Sequence, residues 1–520
     1  MLKRIVFYPV LFSIDPILML LTGNLSSILL HQMFPSIILV LFCALSLFFV
    51  VNKKLKDIHR AGFITYMAIF WFFHYGIIYS FTKVLHITSF TSSLHWVLLP
   101  VWTAIPIFLS SRMVWKKVSS PQTITLFLNI IGIIITSYSV IRISADFLLR
   151  NIYSPNNLEA HQITMEISPS AEKPDIYYII VDGYGRGDIL KELYNFDNSN
   201  FLQDLQERGF YVATQSQSNY MQTFLSLSST LNMTFLPEFP KWIPDRGLLM
   251  GMVKHSNVGE IFRQLGYKFV TISTGYTVSE IIDTDYHFVP TGTVKSNDLV
   301  GLLLNNSILV VMIESKWIDP PFTHNYQAEN RIEYTFTTLG NEIPLIDGPK
   351  FIFIHLTIPH PPFILNQSEV IDPDAPYILF DGNTYTEQPS IYISGYINQL
   401  EYVNSNLIRT IDGILKLSST PPVIIIQADH GPGAYLDINS VKNTCLRERF
   451  SILNAIYIPD GYNKVLHSDI TSVNTFPIIL NNIFGTSIEL QDNKQLYSTW
   501  SKPYDLIDVS IQSKEECDVP

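Results

Sequence analysis

The chain has 520 residues, 47% of them hydrophobic and only 15% charged, with a formal net charge of −11 and a mean hydropathy of +0.22. A soluble protein of this length seldom carries so few charges, so part of the chain belongs in a bilayer. The acidic balance, with no basic patch interleaved with aromatics, excludes nucleic acid as a partner.

The apolar excess lies near the N-terminus, where five stretches of spanning length fall at about 6–23, 34–51, 61–81, 94–110 and 122–143. Lys3 and Arg4 precede the first. Lys53, Lys54, Lys56 and Arg60 separate the second from the third, and Arg112, Lys116 and Lys117 separate the fourth from the fifth. Basic loops stay cytoplasmic, so five spans with the N-terminus inside put everything after the fifth outside the cytoplasm, in the periplasm or at the cell exterior. Asp15 and His74, polar residues inside these spans, are expected to face helix interfaces. The expected division is a five-helix transmembrane domain at 1–145, a tether at 146–173 rich in Ser, Pro and Asn, and an extracytoplasmic catalytic domain at 174–520.

Beyond the tether, strand and helix patterns alternate. Ile176–Val181 reads as a buried strand that ends in Asp182-Gly183. A helix near Ser199–Arg208 and a short strand at Phe210–Thr214 follow. The hydroxyl-rich segment Ser218–Met233 is tied to a core by Leu225, Leu227, Leu231 and Met233, and Thr223 opens its helix. A helix near Val258–Leu265 leads into a strand at Tyr267–Ser273, and Phe351–Thr357 is another buried strand. A long amphipathic helix at Ile391–Leu415 precedes the strand Pro422–Ala428, which delivers Asp429-His430-Gly431. A late helix at Ile470–Phe484 is closed by Gly485. Repeated strand-then-helix order gives an α/β domain with a mostly parallel central sheet.

Open α/β sheets place their chemistry at the C-terminal strand edge. Two strands that end there in Asp182 and in Asp429-His430 suggest one divalent metal site, although a strand-end Asp-Gly is also ordinary turn chemistry. A hydroxyl at a helix start suits phosphoryl chemistry, because free N–H groups and the helix dipole hold phosphate oxygens, and it can equally be a simple N-cap. Cys445 and Cys517 can either pair across a loop of about seventy residues or remain as two thiols.

In order along the chain stand Val-Asp182-Gly, Asn219-Tyr-x-x-Thr223, then His355 and His360 in His-Leu-Thr-Ile-Pro-His-Pro-Pro, and Ala-Asp429-His430-Gly. This order resembles the sulfatase-like branch of the alkaline phosphatase superfamily. With five spans in front, the layout is similar to lipoteichoic acid synthases and lipid A phosphoethanolamine transferases. The resemblance implies one divalent metal (Mn, Zn or Mg) held by Asp182, Thr223, Asp429 and His430. It implies Thr223 as the nucleophile that becomes covalently modified, and His360 as the group that protonates the leaving oxygen or binds the transferred group. Asn219, His355 and Arg186 are expected at the substrate. The Cys/Ser-x-Pro-Ser-Arg sequence of true sulfatases is absent, and so is a late histidine usual in the phosphoethanolamine transferases.

The expectation is therefore a membrane-bound, metal-dependent enzyme that moves a phospho-head group from a lipid donor to an envelope acceptor, a lipid or a glycan. The alternatives are a phosphoester or sulfuric ester hydrolase of the same superfamily, and a non-catalytic membrane sensor or scaffold that keeps the fold.

Overall fold

The computed structural model describes residues 4–23, 33–84, 94–115, 118–152, 173–243, 246–290, 298–315, 317, 325–366, 369–370, 389–459 and 465–517. It divides into two compact units, 1–151 with 294–322, and 152–293 with 323–520.

The first unit is helical: α1 (Tyr8–Gly23), α2 (Met33–Leu55), α3 (Ile58–Val84), α4 (His95–Val114) and α5 (Pro121–Ile152). Four of these, α2 to α5, are long and apolar enough to cross a membrane. With 16 residues, α1 rises only about 24 Å at 1.5 Å per residue, less than the roughly 30 Å of a hydrocarbon core. Of the five expected spans, four are thus of full length and the first is a shorter apolar helix. Its start is fixed by Asn129 of α5, whose Oδ1 accepts from the Tyr8 N–H at 3.0 Å and whose Nδ2 donates to the Ile5 carbonyl at 2.7 Å. Asp15 is buried, and His74 faces the Phe70 carbonyl at 3.2 Å through Nδ1, stacked on the Phe70 ring.

The segment 294–322, which the expected catalytic domain at 174–520 included, belongs to the helical unit. Its helix Asp298–Asn306 buries Leu299 and Leu303 in one cluster with Ile17, Leu21, Ala44, Ile69 and Phe73. The Ile308 N–H donates to the Phe72 carbonyl at 2.8 Å. The reason is composition: Leu299–Ile313 is nearly all apolar and too short to span, the pattern of a segment buried among helices. Of the expected tether at 146–173, α5 takes the start, and 153–172 lie outside the described residues.

The second unit is built on a seven-stranded sheet. Its strands are β1 (Ile176–Val181), β2 (Tyr211–Val212), β3 (Lys268–Ile272), β4 (Tyr286–Phe288), β5 (Lys350–Leu356), β8 (Val423–Gln427) and β9 (Asn454–Tyr457). Outside it stand two antiparallel pairs, β6 (Leu365–Asn366) with β7 (Glu369–Val370), and β10 (Leu496–Thr499) with β11 (Lys502–Asp508). The sheet order is β2-β9-β8-β1-β5-β3-β4. Only β9 runs against the rest, pairing antiparallel with β8 and β2, so the expected mostly parallel sheet carries one reversed strand near its edge. β1 is buried along its whole length between β5 and β8, which explains its unbroken apolar run. Ile180 pairs with His355 on one side and Gln427 on the other. That register brings Asp182 and Asp429, each two residues further on, to the same level of the sheet edge.

Candidate active site

Asp182 follows β1, Asp429 and His430 follow β8, and His355 lies near the end of β5; all four are buried. Beyond the helices α6 (Gly187–Tyr194) and α7 (Ser199–Glu207), Thr223 is the first residue of α8 (Thr223–Asn232), whose N-cap is Gln222. Its Oγ1 lies 3.2 Å from His430 Nε2. His430 Nε2 is also 3.5 Å from Asp182 Oδ1 and 3.4 Å from Asp429 Oδ2. On the other side of Asp182, His355 Nε2 stands 3.3 Å from Oδ2. His360 is half-buried, its ring 5.9 Å from that of His430.

Local backbone explains why glycines flank these residues. Gly183 has φ +71°, a left-handed conformation, and its N–H donates to Asp429 Oδ1 at 3.1 Å. At Gly431 a Cβ would collide with the Glu448 carbonyl, so the Asp-His pair can turn away from its strand only with glycine next.

Partners on the outer side fix the imidazoles. His430 Nδ1 is 2.9 Å from the Gly431 carbonyl, which sets its proton there and leaves the Nε2 lone pair facing Asp182, Asp429 and Thr223. Burial, then the nearby Arg449 charge, push the His430 pKa down, favouring this neutral form. His355 Nδ1 is 2.8 Å from Ser279 Oγ, so its Nε2 faces Asp182. His360 Nδ1 is 2.7 Å from the Pro361 carbonyl, which turns Nε2 outward from that bond. Burial alone would raise the Asp182 carboxyl, but His360, His355 and His430 more than offset it and hold it well below the usual carboxylate range.

Among the described residues, Asp182, His360 and His430 form one set of ligand-type atoms within 4.8 Å of one another, and Asp182, His355 and Asp429 form another. Asp182 Oδ1, Asp429 Oδ2 and His355 Nε2 are buried without a hydrogen bond. Buried polar atoms left this way are costly, and two carboxylates so close repel. A divalent cation removes both penalties, and oxygen and nitrogen donors without thiolate suit Zn, Mn or Mg. The residues fit such an ion.

The expected metal set Asp182, Thr223, Asp429 and His430 is brought together, with His360 at its rim. His355, expected at the substrate, stands among the ligand-type atoms instead. Asn219 and Arg186 are engaged elsewhere. Asn219 Nδ2 donates to the Lys494 carbonyl at 2.9 Å and its Oδ1 accepts from the Val473 N–H at 2.9 Å. Arg186 is forked onto Asp188 at 2.7 and 2.8 Å and bonded to the Ser216 carbonyl. Asn219 thus holds the chain's own backbone, and Arg186 holds a carboxylate and a carbonyl.

Sequence reading missed Arg449, whose Nη2 lies 3.3 Å from His430 Nε2. It sits in Leu446-Arg447-Glu448-Arg449-Phe450, a short charged run with no motif spacing. Cys445 and Cys517 are paired, 72 residues apart.

No protein-family model and no curated protein matches the chain. Solved structures do. One is the C-terminal periplasmic domain of EcEptC from Escherichia coli, solved alone and in complex with Zn. Both structures are 13% identical and cover 66% of this chain; they cover 95% and 94% of that chain at TM-scores of 0.41 and 0.40. The integral membrane lipooligosaccharide phosphoethanolamine transferase A from Neisseria meningitidis is 11% identical over 93% of this chain and 95% of that chain, at a TM-score of 0.37. The phosphonate monoester hydrolase of Agrobacterium radiobacter is 12% identical over 62% and 80%, at 0.38. Such loose overlap leaves the chemistry to be read from the site itself. The solved structures similar to this chain thus include phosphoethanolamine transferases and a phosphonate monoester hydrolase, at 11–12% sequence identity.

Proposed function

We propose that the chain is a membrane-bound, metal-dependent phosphotransferase that moves a phospho-head group from a lipid donor to an envelope acceptor through a covalent Thr223 intermediate. The observation that carries this reading is Thr223 at a helix N-terminus, with Oγ1 3.2 Å from His430 Nε2, beside two carboxylates that have unsatisfied buried oxygens. A divalent ion bound by Asp182, Thr223, Asp429 and His430 would acidify the Thr223 hydroxyl and neutralise charge on the phosphoryl oxygens.

In the first half-reaction Thr223 loses its hydroxyl proton to solvent and Oγ1 bonds to phosphorus. The phosphorus–oxygen bond to the lipid part of the donor breaks, and His360 gives a proton to the departing oxygen. The backbone N–H groups that open α8 and its dipole favour the phosphoryl oxygens there. In the second half His360 takes the proton of an acceptor hydroxyl, whose oxygen bonds to phosphorus while the bond to Thr223 breaks and Oγ1 regains a proton. Water in place of the acceptor makes the same residues a hydrolase.

The test is release of diacylglycerol from vesicles of phosphatidylethanolamine and phosphatidylglycerol by the purified full-length protein. Metal-dependent release supports the reading; none from either lipid, with metal bound, contradicts it.

A further inference from the structure

We propose that Arg449 is a further catalytic residue, its guanidinium binding an oxygen of the phosphoryl group carried by Thr223; this rests on the phosphoryl-transfer reading above. Arg449 is among the largest fully buried side chains of the protein. Its Nε donates to the Met221 carbonyl at 2.9 Å and its Nη1 to the Gly431 carbonyl at 3.2 Å. Met221 lies two residues before the nucleophile and Gly431 directly after His430, so the fork is fastened to both chain segments that build the site. The third nitrogen, Nη2, is 3.3 Å from His430 Nε2, the same atom that Thr223 Oγ1 approaches to 3.2 Å. A phosphoryl group on Oγ1 carries its oxygens into the space these atoms share. Arg449 Nη2 and Thr223 Oγ1 thus approach one and the same atom, which places the guanidinium beside the position that a phosphoryl oxygen on Thr223 would take.

The helix that carries Arg449 is held rigidly. Leu446–Phe450 begins at Cys445, whose Sγ accepts from the Glu448 N–H and is disulfide-bonded to Cys517. Glu448 accepts from Tyr194 Oη at 2.6 Å and from the Ala434 and Tyr435 N–H groups, both at 3.0 Å. A guanidinium fixed before the reaction stabilises the charge that spreads over phosphoryl oxygens in the transition state, and needs no reorganisation when it forms.

The experiment uses the full-length protein in detergent, with Arg449→Ala and Arg449→Lys. Lysine keeps a charge where alanine leaves a buried gap, so the second variant remains informative if the first does not fold. Metal content is measured by elemental analysis, orthovanadate affinity by inhibition, and turnover by diacylglycerol release. Arg449→Lys is expected to keep its metal and its KM while kcat falls roughly 10³-fold, as for other arginines on transferring phosphoryl groups. Vanadate affinity should fall with kcat. Unchanged kcat and vanadate affinity in Arg449→Lys overturn the proposal, and so does metal loss that parallels the activity loss, which marks a merely structural role. If the wild-type protein itself, with metal bound, neither responds to vanadate nor releases diacylglycerol, the underlying reading fails with it.

Discussion

Thr223 and His430 stand 207 positions apart in the sequence, yet Thr223 Oγ1 lies 3.2 Å from His430 Nε2. No other hydroxyl on α8 is so placed. Ser228 Oγ donates to the Leu249 carbonyl and Ser229 Oγ to the Thr234 carbonyl. Ser226 lies one turn into the helix, its buried Oγ without a hydrogen bond. Thr223→Ala is therefore expected to abolish turnover. Gln222 rather than Thr223 is the N-cap, so the loss of a cap, about 1 kcal/mol elsewhere, should not accompany it. Ser226→Ala should keep near-normal activity and thermal stability. Near-normal turnover in Thr223→Ala, with loss in Ser226→Ala, would move the nucleophile.

Removal of metal should be visible in stability as well as activity. Without an ion, Asp182 and Asp429 are buried close together with oxygens that no donor satisfies, so chelation should lower the apparent Tm, and Zn or Mn should restore it. Asp429→Asn removes one of the two charges, and its apparent Tm should respond far less to chelator. Equal chelator sensitivity in the variant and the wild type contradicts the assigned ligand set.

Burial raises the Glu448 carboxyl from 4.5 to about 7, against the hydrogen bonds it accepts from Tyr194, Tyr435 and Ala434. Between those two values the unfolded chain has already lost the proton that folded Glu448 keeps. Its contribution to stability is therefore full at the acid end, falls as pH rises towards 7, and is level above it, with a slope of up to about 1.4 kcal/mol per pH unit. Glu448→Gln removes this component. Thermal unfolding at a series of pH values should show the Tm difference between wild type and variant shrinking from pH 5 to 7, on the order of the window just derived. A difference independent of pH rules this out.

Gly76 of α3 lies against the backbone of the 294–322 segment, where a Cβ would collide with the Asn305 carbonyl. Gly76→Ala should cost roughly 1–3 kcal/mol by overpacking. Limited proteolysis should then cut within 294–322 faster than in the wild type. Unchanged cleavage and Tm would mean that this helix does not depend on that approach.

Much of the candidate site was legible because it sits where simple rules apply. β1 and β8 are unbroken apolar runs that end in ligand-type residues, and parallel pairing on both sides of β1 puts those ends level. Thr223 was legible as a helix start, and the helix does begin there. What escaped depends on contacts between distant segments. β9 is reversed by its pairing with β8, which no local pattern in Asn454–Tyr457 encodes. Arg449 reaches the site only because Met221 and Gly431 offer it carbonyls. The partners of Asn219 and Arg186, the Lys494 carbonyl and Asp188, were likewise not legible in the sequence. The Leu299–Ile313 stretch did carry a signal, apolar yet too short to span, that assignment to a soluble domain overlooked.

The central claim is the covalent bond at Thr223. Full-length protein, incubated with metal and the two phospholipids and quenched in acid, is digested and its peptides are weighed. The account predicts a phospho-head-group adduct on the peptide containing Thr223, its mass naming the donated group, and its absence from Thr223→Ala. An active enzyme whose Thr223 peptide stays unmodified at every quench time, while the adduct forms on another residue or none forms at all, would contradict it.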